Sequence, residues 1–142
     1  MSAAKRTEPR RWEVALEWFD RAVGDLRIAE ILFSEAPDLP WGAAFHCQQA
    51  LEKMAKGVLI AKGIEPPKTH DIDLLGRLVG SQEAQLGERI SALSRLTVWY
   101  IAPRYPDAMI DDIPSEVDLL AAFAKLRELR LQIDKLAPAP GG

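Results

Sequence analysis

Apolar side chains recur every three to four positions through most of the chain, and no stretch alternates with the period of two that a strand would show. Ala15, Trp18, Phe19, Ala22, Val23, Leu26, Ala29 and Phe33 form one stripe, which predicts a first helix over 11–34. The run EAPDLP ends it, because proline lacks a backbone donor and restricts the residue before it. A second helix is predicted over 41–62, stopped by Gly63, with EPPKTH as a stiff connector after it. Thr69 or Asp71 is placed to cap a short third helix over 72–79, ended by Gly80. A fourth helix is predicted over 82–101, with Leu86, Ile90, Leu93 and Thr97 inward and Pro103 and Pro106 beyond its end. Ser115 and Asp118 have the spacing of a capping box and open a last helix over 115–136. Four long helices and one short one, joined by brief connections, predict an all-α fold: an antiparallel up-and-down bundle. Residues 12–136 make the bundle domain, with flexible ends at 1–11 and 137–142.

Composition supports this pattern and removes several classes. The 142 residues fit one domain, and 48% are hydrophobic, enough for a packed core. Ala and Leu dominate while Val is sparse, which favours helix. Lys plus Arg is 18 against 21 for Asp plus Glu, so no global basic field points to nucleic acid. Cys47 is the single cysteine, which excludes an intramolecular disulfide and a cysteine zinc cage. His46 and His70 are the two histidines, and neither a metal nor a cofactor is expected. The charged segment 1–12 has no apolar leader pattern, and no run approaches the ~20 residues of a membrane span. A cytoplasmic protein is expected.

Polar residues on the wrong face of the second helix carry the first functional signal. At about 100° per residue, Ala44, Cys47, Ala50, Leu51, Met54, Ala55, Val58 and Leu59 share an apolar arc. His46, Gln49, Lys53 and Lys56 share a narrow polar face opposite. Gln48 and Glu52 fall inside the apolar arc, one turn apart. A polar group in a core costs roughly 1–3 kcal/mol unless it is partnered, so Glu52 calls for a donor, for which Arg is best suited. Two readings stand: a structural cluster tying helices together, or a ligand-facing pocket. Asp25, at the edge of the first stripe, raises the same choice, with Arg21 or solvent as its plain partner.

The second signal is WYIAPRYPDAMID. Prolines on both sides limit the backbone around Arg104, with Tyr105 beside it. A held guanidinium next to an aromatic ring suits a phosphate, a carboxylate or a stacked base, or serves as the internal partner of Glu52 or Asp25. His70 and Asp71 are either a proton-relay pair or the start of a helix. Lys53, Lys56, Lys62 and Lys68 form a basic end, and 105–118 is acidic; such patches could pair across a homodimer. Trp12, Trp18, Trp41 and Trp99 are expected as core or interface anchors, and four in one chain favour a dimer contact.

Trp18 followed by Ala22, Asp25-Leu26 and Ala29, then FHCQQALEK at 45–53, THDIDLL at 69–75 and YIAPRYPD at 100–107, resembles the HEPN domain family. The likeness extends from about Trp12 to Leu136, and matches the branch bearing Arg104, Tyr105 and Pro106. The resemblance implies a helical bundle, often dimeric, that sits beside a minimal nucleotidyltransferase (MNT), many such pairs acting as toxin and antitoxin. Nucleolytic members cut RNA without metal through an Arg-x(4–6)-His motif at a dimer interface. Neither His46 nor His70 has an Arg five to seven residues before it, and no histidine follows Arg104, so that motif is missing. The expected function is a nucleotide- or partner-binding component of a two-gene HEPN/MNT, toxin–antitoxin-like system. The binding residues expected are Asp25, Gln48, Gln49, Glu52, Lys53, Arg104 and Tyr105. The alternative is a metal-independent ribonuclease toxin with a variant centre at Arg104, helped by His46 or His70. Expected partners are a second copy, an MNT-type chain, and a nucleotide or RNA.

Overall fold

The computed structural model describes residues 6–101 and 114–140. Among these, the chain folds into six helices with no strand: α1 (Pro9–Glu35), α2 (Pro40–Ala61), α3 (Ile72–Gly80), α4 (Ala84–Ser91), α5 (Leu96–Ile101) and α6 (Glu116–Asp134).

Local chemistry sets the ends. Glu8 caps α1 by accepting from the Arg10 and Arg11 amides at 3.1 and 3.3 Å. Those amides favour the charged carboxylate, with the Arg10 bond the main cause, and hold the Glu8 carboxyl below its ordinary value. Proline opens both α1 and α2, where its missing donor does no harm. At the end of α2, Gly63 takes φ 74°. The amides of Gly63 and Ile64 return to the Ile60 and Leu59 carbonyls at 3.0 and 2.8 Å, a Schellman closure that needs a residue without a Cβ. Asp71 caps α3 through the Leu74 amide at 3.2 Å. Ser115 and Asp118 complete the capping box of α6, each side chain accepting the other's amide at 3.1 and 3.3 Å.

The core fills the space between α1, α2 and α6, with Phe19, Leu51, Met54, Leu59, Leu126 and Ile133 fully buried. α1 lies hard against α2 at Gly57, where an added Cβ would come within 2.4 Å of Phe19 Cε1. The Arg130 guanidinium of α6 sits over that ring, 5.0 Å from its centre. The Thr7 amide donates to the Leu136 carbonyl at 2.7 Å and Arg6 to Ala137 at 3.1 Å, so the start of the chain is laced to the end of α6.

The predicted helix over 82–101 is corrected to two pieces. Between α4 and α5 the amides of Leu93, Ser94, Leu96 and Thr97 bond three residues back instead of four. The pieces serve different neighbours: α4 packs on α3, and α5 packs on α2. α4 approaches α3 so closely that a Cβ on Gly87 would lie 2.4 Å from Gly80 Cα. α5 is instead anchored at the head of α3, where Thr97 Oγ1 accepts the Ile72 amide at 3.1 Å. One straight rod cannot meet both surfaces. The described residues therefore hold three long helices and three short ones. Among them no helix is long and apolar enough to cross a membrane.

Candidate functional site

α2 carries polar side chains at Gln48, Glu52 and Lys56 that are 0%, 6% and 9% exposed, alongside a buried Asp25 from α1. Such groups are stable only if partnered, and each has a partner. The Asp25 carboxylate bridges two positions on α2: Oδ1 accepts from His46 Nδ1 at 2.9 Å, and Oδ2 accepts from Lys53 Nζ. His46 and Lys53 are seven residues apart and therefore share a face two turns long. That face meets α1, which is why one carboxylate reaches both.

The second group surrounds Glu52. Its Oε1 accepts from His70 Nδ1 at 2.7 Å and from Gln48 Nε2 at 3.2 Å, and its Oε2 accepts from Lys56 Nζ at 3.1 Å. His70 comes from the connector before α3, so this group ties that connector to α2. Gln49 lies between His46 and Lys53 on the helix and donates to Gln48 Oε1 at 2.7 Å. The two groups thus form one polar seam along α2, running from Asp25 to His70.

Seven of the residues expected from the sequence are placed here: Asp25, His46, Gln48, Gln49, Glu52, Lys53 and His70. Arg104 and Tyr105 lie outside the described residues. Two expectations are corrected. Asp25 pairs with His46 and Lys53 in place of Arg21 or solvent. Lys56, assigned to the outer polar face, is buried against Glu52. His70 of the 62–71 segment returns to Glu52 at this part of α2, and the buried Lys56 directs its ammonium to the same carboxylate. The i to i+4 spacing of Glu52 and Lys56 was the available signal. Among the described residues the donors on Glu52 are Lys56, His70 and Gln48, and Arg104, the Arg expected as its partner, lies outside them.

The chemistry of the seam follows from its pairing. Each carboxylate holds a lysine and an imidazole. The Asp25 bond fixes the neutral His46 ring with its proton on Nδ1, which makes Nε2 the basic nitrogen. His46 is half-buried, with its ring edge-on to Phe45 at 5.5 Å between centres. Among the described residues no set of His, Cys, Asp and Glu is grouped to hold a metal ion. Cys47 faces the core, and burial pushes its thiol up to about 12, far from a reactive thiolate. Two shallow clefts, of about 110 and 190 Å³, lie elsewhere, one beside Phe33 and Pro114 and one beside Arg89 and Leu129.

The seam centres on the segment FHCQQALEK, with Asp25 supplied from the preceding helix, Lys56 from the next turn of α2 and His70 from the connector before α3. A family model for the HEPN domain matches residues 15–130. The chain belongs to the HEPN domain family. No curated protein and no solved structure gave a match. The HEPN match spans α1 to most of α6, so the seam lies wholly within the HEPN region.

Proposed function

We propose that this HEPN protein is the nucleotide- or partner-binding half of a two-gene, toxin–antitoxin-like system, working as a homodimer beside an MNT-type nucleotidyltransferase in the cytoplasm. In this reading the helices form the antiparallel up-and-down bundle of the family, and the seam on α2 is its recognition surface. One observation carries it: Asp25 holds both His46 and Lys53, which places a basic nitrogen and an ammonium on one half-buried face. The Lys53 ammonium suits a phosphate oxygen or the carboxylate of a partner, and the His46 Nε2 accepts from a ligand hydroxyl or N–H. Arg104 and Tyr105, outside the described residues, enter this reading on the sequence alone. The absent Arg-x(4–6)-His spacing argues against ribonuclease chemistry of the family type.

Calorimetric titration of purified protein with mononucleotides, and with a co-expressed MNT chain, tests this. Lys53→Met and Arg104→Ala are expected to weaken binding at least tenfold while the fold is kept. Binding unchanged in both, or no binding of nucleotide or partner by wild type, would remove the proposal. A ribonuclease reading is favoured by one feature, the carboxylate-held His46 with its basic Nε2. It requires RNA cleavage in the presence of chelator that is lost in both His46→Ala and Arg104→Ala.

A further inference from the structure

His46 has the surroundings of a covalent nucleophile. Its Nδ1 donates to Asp25 Oδ1 at 2.9 Å, which leaves the Nε2 lone pair without a proton. Its side chain is 28% exposed while the carboxylate holding Nδ1 is 10% exposed, so the open edge of the ring is the Nε2 edge. Lys53 binds the other oxygen of that carboxylate. Gln49 and Lys53 follow His46 by three and seven residues and share its face of α2. The Lys53 ammonium gives one proton to Asp25 and has two more, and the Gln49 carboxamide gives one N–H to Gln48 and has a second.

We infer that His46 Nε2 accepts a phosphoryl group from an acyl phosphate. The Nε2 lone pair forms the N–P bond, the P–O bond to the acyl group breaks, and the carboxylate leaves with that electron pair. The Nδ1 proton stays on the ring in its bond to Asp25, whose negative charge offsets the positive charge the ring gains. Transfers of this kind are driven mainly by positioning and by charge on the phosphoryl oxygens. Lys53 and Gln49 supply N–H donors to those oxygens on the same face. The transfer goes beyond the binding role proposed above and does not depend on it.

His70 is the competing imidazole. Glu52 holds its Nδ1 at 2.7 Å, and at 47% its side chain is the more exposed of the two. The lysines differ. Lys56, which shares the Glu52 carboxylate, is 11% exposed, against 27% for Lys53. The ammonium presented to a group arriving from solvent is the one beside His46. Exposure alone therefore favours His70, and the arrangement of charge favours His46.

The test incubates the full chain with acetyl phosphate and reads the label by mass spectrometry after trypsin, which places His46 in the peptide 28–53 and His70 in 69–77. Wild type is expected to gain one phosphoryl group in 28–53, lost in acid and kept in base as an N–P bond is, about tenfold or more faster than N-acetylhistidine. His46→Ala should lose it. Asp25→Asn, in which the ring is free to move its proton to Nε2, should slow labelling about tenfold or more and lose the Nδ1–H signature in a proton–nitrogen spectrum, with helicity retained. A label mainly on 69–77, an acid-stable label, or a rate no better than N-acetylhistidine overturns the transfer, even where nucleotide binding is found. A label on His46 in a protein that binds neither nucleotide nor partner upholds it and removes the binding role instead.

Discussion

Replacing Glu52 by Gln should destabilise the protein by about 2–4 kcal/mol, and the pairing around it sets that range. Three donors converge on the carboxylate, from Gln48 at 3.2 Å, Lys56 at 3.1 Å and His70 at 2.7 Å. Removing one member of a fully buried ion pair costs about 3–5 kcal/mol, because the other charge is left without compensation. Lys56 is buried and cannot easily turn to water, whereas the His70 side chain is nearly half-exposed and can, which lowers the figure. Gln keeps the size and one acceptor but turns an amide NH2 toward donors, so at least one bond to a charged group is lost, worth about 1.5–3 kcal/mol. Lys56→Met leaves the carboxylate two donors and should cost less, about 1–3 kcal/mol. The double variant should cost less than the two singles together, by about 1 kcal/mol or more, since the second change removes a charge that the first had stranded. Urea unfolding followed by circular dichroism measures all four proteins, with the midpoint moving at constant slope. A loss below about 0.5 kcal/mol in Glu52→Gln, together with additive singles, would refute the reasoning.

The close helix contacts give a second prediction. Gly57→Ala and Gly87→Ala should each lower stability by about 1–3 kcal/mol, Gly87→Ala more, because its Cβ would meet backbone where the other meets a ring. Gly24→Ala, with nothing within 4 Å of the new Cβ, should be neutral or raise stability by up to about 1 kcal/mol in a thermal melt. Ser115→Ala should cost about 0.5–2 kcal/mol by the same melt, as loss of half a capping box. Cys47 should resist alkylation at pH 8 in the native protein and react fully in denaturant, read by mass spectrometry. Its linkage has a definite sign. The unfolded thiol ionises near 9.0 and the folded one near 12, so the folded state keeps the proton between them. Stability from this site is complete below pH 9 and falls by about 1.4 kcal/mol per pH unit above it. The stability gap between wild type and Cys47→Ala should therefore shift against wild type from pH 8 to pH 10.

Much of the helical layout was legible because apolar periodicity and end chemistry agreed. α1, α2, α3 and α6 begin and end within about two residues of the capping and proline signals, inside the usual scatter of helix ends. The break between α4 and α5 was not legible. No Gly or Pro marks residues 92–95, and the bend comes from two tertiary contacts, with α3 and with α2, that one helix cannot see in its own sequence. The seam was legible by half. Gln48 and Glu52 stood out as polar residues on an apolar arc, and the arc was right. The partners were not readable, because they depend on which helix lies against which face. His46 and Lys53 point toward Asp25 only because α1 packs there. Lys56 was misplaced because a wheel records angle alone, while its ammonium is directed to the Glu52 carboxylate that His70 also meets.

The state of the His46 ring tests the central claim most directly. A long-range proton–nitrogen spectrum of the imidazole side chains, recorded with and without an added mononucleotide, reads both the proton position and the contact. The account predicts that neutral His46 carries its proton on Nδ1, that this preference is lost in Asp25→Asn, and that the Nε2 signal moves on adding ligand. A His46 ring protonated on Nε2, or one whose signals stay fixed while the nucleotide binds elsewhere, would contradict it.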